Sequence, residues 1–273
     1  MNEVGRITSR DNQKLKYVRR VRDGKLKEAV FVEGIRHAEE VLRTKTAIIE
    51  CFCSETFGEN ERERKLIGKI KAENADCFIV DNRVFPSIAE TNAPQGIILI
   101  VRKPSTTKEN FDCYRGQSDK TNSPIVFLSE INNPSNLGAI LRTAEAAGAA
   151  GVVISTKSAD AFSPKSMRSA LGANLRLPIW EDAEFEEVLV WANEKGVITT
   201  AADINAEKKY TEIDWAMPRI LIFGSEAHGL SENAREKIDE LIYIPMENDV
   251  ESLNIAVSCG IILFEARRIR TAG

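Results

Sequence analysis

Short apolar runs and helix-period segments take turns along the second half of this chain. The runs 125–128, 152–154, 177–180, 197–201, 220–223 and 241–244 have strand length, while 137–147, 164–171, 184–195 and 232–238 carry apolar residues at helical spacing. A closing helix is expected over 253–268, apolar on nearly every side. Alternation of this kind predicts a mostly parallel sheet with helices on both faces, and such sheets bind ligands at the carboxyl ends of their strands. In the first half, runs at 47–52, 77–80 and 97–101 mix with helical segments at 35–42 and 62–72, which reads as a smaller α/β unit. Residues 104–122 are polar, contain Pro, Gly, Ser and Thr, and lack a sustained period. They read as a linker between an amino-terminal domain, 1–103, and a carboxyl-terminal domain, 123–273.

At 273 residues, with 43% hydrophobic and 29% charged positions, the chain can bury a sizeable core, and wholesale disorder is excluded. No apolar stretch reaches the roughly 18 residues that span a bilayer. The amino terminus has no apolar leader, and the five cysteines are odd in number and scattered, so a cytoplasmic location is expected.

Charge changes the picture more than composition does. The net charge is −4, yet the first 27 residues hold nine basic and three acidic side chains, a +6 head on a body of −10. Arg6, Arg10, Lys14, Lys16, Arg19, Arg20, Arg22, Lys25 and Lys27 fit either a phosphate-reading surface or a solvated helix face.

Several familiar chemistries are disfavoured by their missing residues. No G-x-G-x-x-G follows the first strand of the second domain. Gly224 and Gly229 have P-loop spacing, but Leu230 occupies the lysine position. The two histidines, His37 and His228, and the pair Cys51 and Cys53 lack metal-site spacing, so no metal is expected. Ser225 is not in a nucleophile elbow.

Three segments that follow strands remain. In INNPSNLGAILRTAEAAGA, Asn136 is placed to cap a helix beginning at Leu137, with Arg142 two turns on. In IFGSEAHGLS, a strand enters a glycine-bounded turn carrying Glu226. In IPMENDVESLN, an acidic loop leads to Ser252, which is placed to start the closing helix. Turn and cap chemistry explains each loop separately but not three such loops on one sheet.

Together these segments resemble the SpoU (TrmH) family of RNA ribose 2′-O-methyltransferases: N-P-S-N-L-G-A-I-L-R-T-A at 133–144, G-S-E-A-H-G-L at 224–230, and I-P-M with E-S-L-N at 244–246 and 251–254. The segment S-P-K-S-M-R-S-A-L-G-A at 163–173 is similar to the part between them, and ITSRDNQKLKYVRR and VFVEGIRHAEEVL resemble an RNA-substrate-binding domain. The resemblance implies a SPOUT-like α/β fold with a deep trefoil knot, a rare exception to unknotted topology. It also implies S-adenosyl-L-methionine (AdoMet) as cofactor and a homodimer with a shared active site. Gly224, Ile244, Met246 and Leu253 would hold AdoMet; periodicity alone reads Ile244 and Leu253 as core. Asn136, Arg142, Glu226, Ser252 and Asn254 would serve catalysis, with Arg142 as base or phosphate clamp. The RNA partner implied is large-subunit (23S) rRNA, with tRNA, or a non-catalytic RNA-binding role, as the alternatives. Ala227 departs from the family's usual glycine, a restriction if that position needs positive φ.

Overall fold

The computed structural model describes residues 5–116, 122–248 and 250–272. The chain divides into two compact units, the first made of Met1–Pro104 with Ala161–Arg176, the second of Ser105–Asp160 with Leu177–Gly273.

In the first unit β1 (Gly5–Ile7), α1 (Gln13–Arg22), β2 (Ala29–Glu33), α2 (Ile35–Thr44), β3 (Ile48–Ser54), α3 (Glu61–Ala72), β4 (Asp76–Val80) and β5 (Ile97–Arg102) follow in order. The sheet order is β1-β4-β3-β5-β2, parallel among β1, β4 and β3 and antiparallel where β5 meets β3 and β2. Helix α1 starts at Asn12, whose side chain accepts from the Lys14 N–H at 2.8 Å, and it turns Leu15, Val18 and Val21 inward at helical spacing. These pack with Phe31, Phe52, Ile98 and Ile100 into one core, which leaves the basic residues of α1 on its outer side.

The second unit begins with α4 (Lys108–Gly116), followed by β6 (Ile125–Leu128), α5 (Pro134–Ala147) and β7 (Gly151–Ser155). Helix α6 (Pro164–Ala170) lies in the segment that groups with the first unit. Then come β8 (Ile179–Ala183), α7 (Phe185–Glu194), β9 (Ile198–Ala202), β10 (Lys208–Lys209), β11 (Arg219–Phe223), α8 (Glu232–Arg235), β12 (Glu240–Tyr243) and α9 (Ile255–Ala272). The sheet order is β10-β12-β9-β11-β6-β7-β8, and every pairing is parallel. The expected α/β class with a parallel second sheet is what forms. From β6 the chain moves outward through β7 to β8, then crosses back to β9, so the order reverses beside β6 and β11. Crevices of α/β sheets open at such reversals, at the carboxyl ends of the strands.

Three local expectations are corrected. The stretch 104–122, read as a linker, is helical over Lys108–Gly116 because Phe111 is buried against Trp180 and Trp191, and Trp191 Nε1 donates to Asp112 at 2.9 Å; residues 117–121 of that stretch lie outside the described residues. The segment 232–238 is helical only to Arg235, since Ile238 is buried and Asp239 is held by the Thr199 N–H and hydroxyl at 2.9 and 2.6 Å. Neither expected cap holds. Asn133, not Asn136, caps α5 by accepting from the Ser135 N–H at 2.9 Å. Asn254, not Ser252, receives the Ala256 N–H at 2.9 Å at the start of α9. No helix among the described residues is long and apolar enough to cross a membrane.

Candidate active site

At the reversal of the second sheet, the segments that follow β9, β11 and β12 surround a cavity of about 560 Å³, with the first turns of α5 and α9 beside it. The strands beneath are held in register by Arg219, whose buried guanidinium donates to Thr200 Oγ1 at 2.8 Å and pairs with Glu240 at 2.6 Å, tying β11 to β9 and β12.

The loop after β11 is a closed ring. Ser225 and Gly229 exchange backbone hydrogen bonds of 3.1 and 2.9 Å, and the His228 N–H donates to Ser225 Oγ at 3.2 Å. Gly224 is required by this closure: a Cβ there would stand 2.3 Å from the Gly229 carbonyl carbon. Gly229 itself has φ +63°, whereas Ala227 does not take a positive φ, so its methyl group carries no conformational cost. The ring thrusts Glu226 towards the start of α5. There the carboxylate accepts from the backbone N–H groups of Asn132 and Asn133 at 3.2 and 3.3 Å and from Asn136 Nδ2 at 3.2 Å. An anion at the opening turn of a 14-residue helix is electrostatically favourable.

Because Asn133 has taken the capping task, the Asn136 side chain is free to turn into the cavity. Its Nδ2 is committed to Glu226 and its Oδ1 accepts from Asn254 Nδ2 at 3.2 Å, which sets the orientation of the amide. A chain Glu226–Asn136–Asn254 therefore links the loop after β11, α5 and the start of α9. Ile244, Met246 and Leu253 are only half buried and add apolar surface to the lining of the same cavity.

Of the nine residues singled out by sequence, eight line this one cavity: Asn136, Gly224, Glu226, Ile244, Met246, Ser252, Leu253 and Asn254. Arg142 does not. It lies six residues beyond Asn136 on α5, which rotates it about 120° from Asn136, and its side chain is exposed. Sequence reasoning missed the loop after β9. Asp203, Ile204 and Asn205 line the cavity, and Asp203 pairs with Arg235 at 3.2 Å while Arg235 also donates to the Leu230 carbonyl at 3.1 Å, joining that loop to the one after β11. The polar Asp203 directly after an apolar strand was the available signal.

Known proteins resemble this chain in sequence and fold. The model of the SpoU rRNA Methylase family matches residues 123–264, and that of RNA 2′-O ribose methyltransferase substrate binding matches residues 31–107. An uncharacterised tRNA/rRNA methyltransferase of Synechocystis sp. is 29% identical over 98% of this chain and 95% of its own length. A 23S rRNA (guanosine-2′-O-)-methyltransferase of Shewanella oneidensis is 30% identical over 90% of this chain and 99% of its own. Among solved structures, an AdoMet-bound rRNA methyltransferase from Sinorhizobium meliloti superposes with a TM-score of 0.84 at 26% identity, covering 97% of this chain and 98% of that one. With one family model spanning more than half of its length and a relative of this identity matched nearly end to end, the chain belongs to the SpoU rRNA methylase family.

Proposed function

We propose that this chain transfers the methyl group of AdoMet to a ribose 2′-hydroxyl of RNA, with 23S rRNA as the substrate. The observation that carries this reading is the convergence on one cavity of eight residues from three segments far apart in the chain, those after β6, β11 and β12. The cavity suits AdoMet: its volume is in the range of small-molecule sites, and its lining combines polar side chains with the apolar Ile244, Met246 and Leu253.

AdoMet bound there supplies an electrophilic methyl group. The residues of the chain must then align the 2′-hydroxyl behind the S–CH₃ bond and ease the loss of its proton. Ile244, Met246 and Leu253 hold the adenine against their apolar surface. Asn136 and Asn254, with Ser252 beside them, frame the ribose. Glu226 orients this frame, because three N–H donors already occupy its oxygens. A guanidinium is a planar, permanently charged donor with no acceptor atom, which makes it a poor base, so Arg142 acts as a bidentate grip on phosphate.

Arg142 is outside the cavity of its own chain, and this supports a homodimer in which it serves the cavity of the second copy. Helix α9 buries Cys259, Ile262, Leu263 and Ala266 but leaves Val257 50% and Phe264 48% exposed, an apolar face available to that copy. The head contributes RNA affinity. Arg6 and Lys14 are paired with Glu55 and Glu50, and Arg19 and Arg22 donate to backbone carbonyls. Arg10, Lys16, Arg20, Lys25 and Lys27 are exposed and have no side-chain partner among the described residues, so they are the phosphate readers. The near-complete overlap with a 23S rRNA enzyme favours rRNA over tRNA. The test is incubation of the purified chain with unmodified 23S rRNA, with bulk tRNA in parallel, and labelled AdoMet, followed by mapping of ribose methylation. One new 2′-O-methyl site in 23S rRNA is expected; label in tRNA alone, or on a base, would overturn the assignment.

A further inference from the structure

Three of the five cysteines meet on one face of the first unit's sheet. Cys51 and Cys53 are two residues apart on β3 and project to the same side, and Cys77 stands directly across from Cys51 in the parallel β3–β4 register. The sulfurs of Cys51 and Cys53 are 3.7 Å apart, and the Cys77 thiol donates to the Ala75 carbonyl at 3.6 Å. All three are free thiols. They do not form a metal site: no group of three or more His, Cys, Asp or Glu among the described residues could hold one.

The environments of the three differ in a way that assigns separate tasks. Cys51 and Cys53 are buried, whereas Cys77 is partly open to solvent. Hydrogen bonds with Cys53 and Cys77, and then burial, push the Cys51 thiol well up, so it stays protonated and can donate. The hydrogen bond from Cys51, helped by the charge of Lys71 and opposed by burial and Asp76, lowers Cys77 to about 7. A thiolate that is populated at neutral pH and reachable from solvent is the form that reacts with oxidants.

We propose that Cys77 is a peroxide-reactive thiol and Cys51 its resolving partner, so that oxidation closes a reversible disulfide between β3 and β4. In the first step the Cys77 thiolate attacks hydrogen peroxide; an S–O bond forms, the O–O bond breaks, and the departing hydroxide takes up a proton as water. In the second, the Cys51 sulfur attacks the Cys77 sulfenic acid; the S–S bond forms, the S–O bond breaks, and a second water leaves with the Cys51 proton. Two thiols and one peroxide thus give one disulfide and two waters. Neighbouring strands lie about 4.8 Å apart, inside the roughly 4.4–6.8 Å that a disulfide spans between Cα atoms, whereas the two-residue step from Cys51 to Cys53, about 6.6 Å, sits at its outer limit. Side chains on paired strands diverge more than the ideal Cβ separation of about 3.8 Å, so the bridge is strained and readily reduced.

The test treats the intact protein with hydrogen peroxide and maps its cysteines by mass spectrometry without reduction. A Cys51–Cys77 linked peptide is expected, reversed by dithiothreitol and absent in Cys77→Ser. In Cys51→Ala, Cys77 should persist as a sulfenic acid trapped by dimedone. Independently of any variant's folding, iodoacetamide alkylation of wild-type Cys77 should be half-maximal near pH 7, rising as the pH passes that point. A midpoint at the ordinary thiol value of about 8.5, oxidation of exposed Cys113 with Cys77 untouched, or a Cys51–Cys53 bridge that survives Cys77→Ser would each overturn the proposal.

Discussion

The first unit's sheet is mixed and the second's wholly parallel, and that difference decides where chemistry collects in each. Antiparallel pairing of β5 with β2 and β3 sends loops out at both ends of the first sheet, so its functional groups lie on faces: basic side chains outside α1, thiols beside β3 and β4. In the second sheet every connection re-enters from the same side. The loops after β9, β11 and β12 therefore leave together at one edge, and the reversal of strand order opens the gap they line. A face suits an extended polyanion that is gripped by charge; an edge suits a small molecule enclosed by backbone.

The largest effect is expected from opening the ring at that edge. Gly224→Ala places a Cβ against the Gly229 carbonyl carbon and should cut AdoMet affinity by about 100-fold, measured by calorimetry, with RNA binding through the head retained. Unchanged AdoMet affinity would mean that the ring does not shape the cofactor site. The converse change removes the face. Replacing Arg10, Lys16, Arg20, Lys25 and Lys27 by Ala should leave AdoMet affinity alone while lowering the salt slope of RNA binding by about 4. An unaltered slope would move the phosphate contacts elsewhere.

A smaller expected signal tests whether one edge is completed by a second copy. Mixing Arg142→Ala chains with Leu253→Asp chains, each inactive alone, should restore about a quarter of wild-type turnover, since half of the dimers are mixed and each has one intact site of two. Inactive mixtures despite proven subunit exchange would place Arg142 in its own chain's site.

The second sheet was legible in the sequence because its central strands β6, β7 and β11 are short, largely apolar runs buried on both faces. Helix α4 was not, since it is polar apart from Phe111 and the small-residue and aromatic positions around it, and its stability comes from two tryptophans at 180 and 191 that only the fold brings to it. The cavity residues were legible as motifs, but their partnerships were not. That Asn133 rather than Asn136 caps α5, freeing Asn136 for Glu226 and Asn254, depends on which of two nearby asparagines sits at the first non-helical position. The part of Asp203 and Arg235 was hidden for the same reason, as their contact spans 32 positions and is set by the adjacency of β9 and β11.

In the proposed site one cavity holds AdoMet against Ile244, Met246 and Leu253 while Asn136, oriented by Glu226 and Asn254, presents the ribose. Asn136→Ala separates the two tasks, with AdoMet affinity by calorimetry and methyl incorporation into 23S rRNA measured on the same preparation. AdoMet binding within about threefold of wild type and methyl transfer reduced by at least about 100-fold are expected. Wild-type turnover in this variant, or loss of AdoMet binding in proportion to loss of turnover, would contradict this division of tasks.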